Sequence, residues 1–210
     1  YRLETVTAPM QEIIAAAIIR LSDWDGNKPM IDPMCGSGTL LSEAMMHYCN
    51  IPAGYLREKF GFESLPDFDA KIWASIKQES DSRIRDLPSG LISGSDKSGE
   101  AVKAAKTNLA IFSQGKNVAL SVKPFQDIKS LENSVIICNP PYGIRMDTEA
   151  KIKDFMKKLG DFLKQRCTGG EAYLYFGNRE LIKSIGLRPT WKKILISGGL
   201  DGRLVKYSLY

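Results

Sequence analysis

Short apolar runs alternate with stretches of helical periodicity along most of the 210 residues, and this alternation constrains the fold more than any other feature. Strands that take turns with helices pack as a parallel sheet covered on both faces, because each crossover returns the chain in the same direction. Val135-Ile136-Ile137-Cys138 is wholly apolar, as expected of a strand buried on both sides. It stops at Asn139-Pro140-Pro141, where consecutive prolines remove the donors a strand needs. Residues 30–32, 91–95, 118–122 and 172–176 read as further strands, and 193–197 with 204–209 as a closing hairpin.

Helices fall between them. Ile13, Ile14, Ala17, Ile18 and Leu21 recur at helical spacing, so 9–22 reads as an amphipathic helix with Pro9 in its first turn. Residues 39–49, 99–112, 148–166 and a short 179–185 follow the same logic. Residues 50–88 break the rhythm with Pro52, Gly54, Pro66 and Pro88; we read them as an insertion, helical over 68–84, whose aromatics suggest that it packs down. The expected architecture is one domain over 1–210, an α/β doubly wound, mostly parallel seven-stranded sheet of Rossmann-like type with a C-terminal antiparallel hairpin.

Composition excludes several function classes. No apolar run is long enough to span a bilayer, and the first ten residues lack the layout of a signal peptide, so a cytoplasmic location without membrane partners is expected. Cys35, Cys49, Cys138 and Cys167 form no CxxC pair and His47 is the single histidine, which argues against metal chemistry and leaves one candidate base for a nucleophile; His47 reads instead as a partly exposed residue late in a helix. Residues 151–210 carry 13 Lys and Arg against 5 Asp and Glu, whereas 1–150 are slightly acidic. Such a basic third suits a polyanion, although Lys151, Lys153, Lys157, Lys158 and Lys164 equally fit the solvated face of one helix.

In a doubly wound sheet, ligands bind beyond the carboxyl ends of the strands. The first such end is Asp32-Pro33-Met34-Cys35-Gly36-Ser37-Gly38-Thr39, where two glycines let the backbone approach a ligand and the next helix offers its free N–H groups. Leu41 stands where a dinucleotide fingerprint wants its third glycine, and no Gly-Lys-Ser/Thr follows, which disfavours both NAD and the P-loop. Asp96, at the second strand end, is an acceptor for ribose hydroxyls or a helix N-cap; its separation from Gly38 becomes ordinary once the insertion is removed. After the third strand, Asp127 in Pro124-Phe125-Gln126-Asp127-Ile128 can accept from an adenine amino group.

The most specific signal is Asn139-Pro140-Pro141-Tyr142-Gly143. Two prolines explain a stiff turn but neither Asn139 before them nor Tyr142 after them. An exocyclic amine of a base is a poor nucleophile because its lone pair is delocalised into the ring. The Asn139 side-chain oxygen and the Pro140 carbonyl can both accept from such an NH2 group and aim its lone pair at a methyl donor, while Tyr142 stacks on the base. A base paired inside a helix cannot reach such a pocket and must be unpaired or flipped out.

DPMCGSGT, GSD at the second strand and NPPYG at the fourth together resemble the class I methyltransferases that act on amino groups. Tyr1-Arg2, Ala8-Pro9-Met10-Gln11-Glu12 and Phe60-Gly61-Phe62-Glu63 look more narrowly like the THUMP-associated RNA guanine-N2 methyltransferases. The resemblance implies S-adenosylmethionine as cofactor: Asp32, Met34, Cys35, Gly36, Ser37, Gly38 and Thr39 would hold its methionine part, Asp96 with Lys97 the ribose, and Asp127 with Ile128 the adenine. Asn139, Pro140 and Tyr142 would hold the target amine, with RNA favoured over DNA as partner. Apart from the resemblance, Arg145 and the basic helix are candidate phosphate contacts on charge alone, with simple solvation the equal alternative. The resemblance also implies an N-terminal THUMP domain in the whole protein, outside this chain. Adenine-N6 methylation of DNA, an RNA-binding module without catalysis and an NAD-dependent oxidoreductase remain the competing readings.

Overall fold

The computed structural model describes residues 1–6, 10–141, 148–196 and 201–210. Its strands are β1 (Met30–Asp32), β2 (Ile92–Asp96), β3 (Ala119–Val122), β4 (Val135–Cys138), β5 (Glu171–Phe176), β6 (Trp191–Ile194) and β7 (Arg203–Ser208). The α-helices are α1 (Glu12–Leu21), α2 (Thr39–Tyr48), α3 (Ala70–Ser82), α4 (Gly99–Leu109) and α5 (Glu149–Arg166). The strands form one sheet in the order β3-β2-β1-β4-β5-β7-β6, parallel through β5 and antiparallel where β7 runs between β5 and β6. This is the doubly wound sheet and closing hairpin expected from the sequence. No described helix is long and apolar enough to cross a membrane.

Side chains alternate across the sheet, and helices cover both faces. Val135 and Ile137 of β4 enter the core with Ile18, Met45 and Ile92 on the side of α1, α2 and α4, while Ile136 and Cys138 join Met156, Leu159 and Phe162 of α5 on the other. That double burial is why β4 has no polar residue. On α5, Gly160 lets the 3-10 segment Arg179–Ile185 lie flush against the helix; a Cβ there would fall 1.8 Å from the Ile185 carbonyl oxygen.

Two expectations need correction. The apolar stripe of α1 is Ile14, Ala15, Ile18 and Ile19, and Ile13 is 81% exposed. Residues 13–19 are apolar almost all round, so periodicity alone could not choose which stripe meets α2. The insertion packs down only at its ends, where Ile51 and Leu87 are buried in the core. Between them α3 has no buried residue, and Phe60, Phe62, Phe68 and Trp73 close on one another with ring centroids 4.9–6.0 Å apart. Those aromatics satisfy themselves locally and do not extend the main core.

The sheet reverses its winding between β1 and β4: successive strands run outward from β1 through β2 to β3, and from β4 to β5. Such a switch point leaves a crevice at the carboxyl ends of the two central strands.

Candidate active site

The β1–α2 loop forms the floor of that crevice. Asp32 is 2% exposed, and its Oδ1 accepts from the Met34 amide at 3.0 Å, which turns the chain sharply out of the strand. Cys35 N donates to the Ser95 carbonyl at 2.9 Å and Gly36 N to Asp96 Oδ2 at 3.0 Å, so the loop is fastened to the end of β2. Gly36 and Gly38 hold positive φ angles of 53° and 80°, and Gly38 caps α2 in the left-handed conformation. A Cβ on Gly38 would sit 3.0 Å from Ala105 Cβ of α4. The loop therefore keeps its shape by lying directly on α4, and the first-turn N–H groups of α2 face outward without intrahelical partners.

Asp96 acts differently from a plain N-cap. Ser98 caps α4, its Oγ accepting from Ala101 N at 3.3 Å, while Asp96 Oδ1 accepts from Ser98 N at 2.9 Å. One carboxylate thus braces both the glycine loop and the entry to α4 and still has lone pairs facing the crevice.

A cleft of about 420 Å³ opens beside these groups. Met34 and Gly36 form one wall, Asp96 and Lys97 another, Pro124, Phe125 and Gln126 a third, with Asn139 and Pro141 at one end. Phe155 and Lys151 of α5 complete it. A smaller cavity of about 40 Å³ shares Met34, Gly36 and Asn139 with the cleft and is bounded also by Asp32, Cys35, Ser37, Thr39, Val6 and Met10. The structure thus gathers most of the residues singled out in the sequence. Gly38 and Pro140 are not among the residues that line either cavity, and the Thr39 hydroxyl accepts from the Arg2 guanidinium at 3.0 Å. Asp127 is exposed, Ile128 is half-buried in the second core, and neither lines the cleft; Pro124, Phe125 and Gln126 do. Tyr142 and Arg145 lie outside the described residues.

Electrostatics distinguishes these groups. Burial pushes the Asp32 carboxyl up to about 8, reinforced by the Asp96 charge and opposed by the Met34 hydrogen bond. Burial, with the Asp32 and Asp96 charges behind it, also holds the Cys35 thiol protonated, so Cys35 is a small packing residue and no nucleophile. His47 is exposed on the last turn of α2, away from the cleft, its pKa lowered by partial burial and by Arg20 and Arg85. On α5, Lys153, Lys158 and Lys164 pair with Glu149, Asp154 and Asp161, which favours the solvated-face reading for those three. Asn139 Oδ1 is buried and has no hydrogen-bond partner among the described residues. A carbonyl oxygen left unpaired beside a cleft is costly unless a ligand satisfies it.

Several contributors were not evident from the sequence. Phe155 belongs to the apolar stripe of α5 and only the tertiary structure brings it beside Phe125, with centroids 5.5 Å apart. The Arg166 guanidinium donates to the carbonyls of Gln126 at 2.6 Å and Ile128 at 2.7 Å, bracing the loop after β3 from behind. Neither has a local sequence signature.

The family model for the RMKL-like methyltransferase domain matches residues 1–206. Among curated relatives, slr0064 of Synechocystis sp. is 38% identical over 211 residues, covering all of this chain and 55% of that protein. Ribosomal RNA large subunit methyltransferase K/L of Aliivibrio fischeri is 35% identical over 215 residues, covering 100% of this chain and 30% of that protein. The chain therefore spans about half or less of the length of these relatives. Among solved structures, SMU.472 in complex with SAH superposes with a TM-score of 0.89 at 30% identity, over 100% of this chain and 55% of that one.

Proposed function

Because the chain belongs to the RMKL-like methyltransferase domain family, we propose that it transfers the methyl group of S-adenosylmethionine to an exocyclic amine of an RNA base, N2 of a guanine in large-subunit ribosomal RNA, in the cytoplasm. The observation that carries the amine assignment is the buried Asn139 Oδ1, which has no partner among the described residues, at the junction of the two cavities. An acceptor without a donor calls for an N–H from the substrate.

The residues fit the cofactor. Met34, Gly36, Ser37 and the start of α2 would hold the methionine end, Asp32 would face its ammonium, and Asp96 with Lys97 would meet the ribose. Pro124, Phe125 and Phe155 offer apolar faces to the adenine beside Gln126, and Asp127, one residue beyond the lining, remains our candidate acceptor for its amino group. When bound, S-adenosylmethionine supplies an electrophilic methyl on a sulfonium. The protein's own work is orientation: Asn139 Oδ1 and the Pro140 carbonyl accept from the target NH2 and localise its lone pair, and Tyr142 stacks on the base.

The test is incubation with methyl-labelled cofactor and either RNA or DNA, followed by identification of the modified nucleoside. N2-methylguanosine in large-subunit RNA is expected, and Asn139→Ala lowers kcat by about two to three orders of magnitude, as for loss of an orienting polar group. N6-methyladenine in DNA with no product in RNA would overturn the substrate assignment. Methyl transfer unaffected by Asn139→Ala would overturn the role of Asn139.

A further inference from the structure

We propose that Asn108 of α4 is a positioning residue for methyl transfer, tying the N-terminal segment to the glycine loop and so fixing the wall at the methionine end of the cleft; this rests on the cofactor reading above.

Asn108 is 1% exposed and every hydrogen-bonding position of its amide is used. Oδ1 accepts from Leu3 N at 2.8 Å and Glu4 N at 2.9 Å. Nδ2 donates to the Glu4 carbonyl at 2.9 Å and to the Ser37 carbonyl at 3.0 Å. Two donors and two acceptor lone pairs are the full capacity of a carboxamide. Three of these bonds hold residues more than a hundred positions away, and the fourth holds the middle of the glycine loop.

The segment so held forms part of the site. Val6 and Met10 border the small cavity shared with Asp32, Gly36 and Asn139, and Val6 Cγ2 would lie 3.6 Å from a Cβ on Gly36. Arg2 fastens the same segment a second time, reaching the Met10 carbonyl, Thr39 Oγ1 at 3.0 Å and the Glu12 carboxylate at 3.3 Å. On the other side, Ala105 packs under Gly38 one turn before Asn108 on the same face of α4. Helix α4 is thus a back plate on which Ala105 sets the height of the loop and Asn108 sets the direction of the Ser37 carbonyl. Without Asn108 the Glu4 carbonyl and the buried Ser37 carbonyl lose their shared donor, and segment and loop can move apart, opening the wall where the methionine end would sit.

The test compares Asn108→Ala with Asn117→Ala in the 210-residue chain. Asn117 makes one comparable bond, Nδ2 to the Leu87 carbonyl at 2.6 Å, far from the cleft. Both variants lose thermal stability; only Asn108→Ala weakens S-adenosylhomocysteine binding, by about tenfold, and raises KM for S-adenosylmethionine by a similar factor with kcat within about threefold. Asn108→Asp keeps the acceptor for Leu3 and Glu4 and regains a donor only when protonated, so its affinity recovers towards pH 5. Amide hydrogen exchange at residues 3–6 and 37–39, measured without ligand, speeds up in Asn108→Ala and not in Asn117→Ala. Equal binding and equal exchange in the two alanine variants would overturn the proposal. Should the unmutated chain bind no S-adenosylhomocysteine, the cofactor reading falls and the positioning role with it, while selective loosening of 3–6 and 37–39 would still establish the tie itself.

Discussion

Replacing Asp32 with asparagine tests the electrostatics of the site. The native carboxyl titrates at about 8 against an ordinary value of 3.8, chiefly because it is buried. Between those two values the folded chain holds a proton that the unfolded chain has released, so stability falls as pH rises through the window and levels off above it. At pH 7 the unfolded carboxyl is ionised and must take up a proton on folding, about three pKa units uphill, which costs about 4 kcal/mol. This is large beside a net stability of about 5–15 kcal/mol. Asparagine cannot ionise, and its Oδ1 can still accept from Met34 N, so Asp32→Asn avoids the cost and keeps the turn. Urea unfolding at several pH values should show the variant more stable than the parent by about 2 kcal/mol at pH 5 and about 5 kcal/mol at pH 8, with unchanged m-values. Contributions from titrating groups that do not interact with Asp32 cancel in the difference. Cofactor binding should suffer in exchange, because the variant offers no negative charge to the ammonium. Calorimetry in buffers of different ionisation enthalpy should find a proton released on binding to the parent at pH 7 and none for Asp32→Asn. A stability gap that does not widen with pH would refute the argument.

Other perturbations separate architecture from binding. Asp96→Ala removes the acceptor for Gly36 N and Ser98 N, and should lower S-adenosylhomocysteine affinity by about ten- to a hundredfold in calorimetry while costing about 1–2 kcal/mol in stability. Gly38→Ala puts a side chain at φ 80° and 3.0 Å from Ala105 Cβ, so about 1–2 kcal/mol of strain should appear in urea unfolding, together with weaker binding. Gly160→Ala has no room against the Ile185 backbone and should destabilise by about 3 kcal/mol, yet leave affinity unchanged at temperatures where the variant stays folded.

The sequence alone determined the sheet and which residues stand at the ends of its strands. The unbroken apolar run 135–138, the glycine loop after Asp32 and the Asn-Pro-Pro turn are local signals: double burial, positive φ and the loss of backbone donors act on the residues that carry them. The same locality limited what could be read. Which stripe of α1 is buried, and whether the insertion joins the core, depend on competition among equally apolar faces, and only packing decides it. Proximity across the chain was likewise invisible. Asn108 meets Leu3, Glu4 and Ser37, Arg166 braces Gln126, and Phe155 faces Phe125 because the sheet brings distant segments within 3 to 6 Å, and no spacing in the sequence records that. The shift of Asp32 belongs to the same class. Its identity places an acid at the end of β1, but its burial and the nearness of Asp96 are properties of the folded chain.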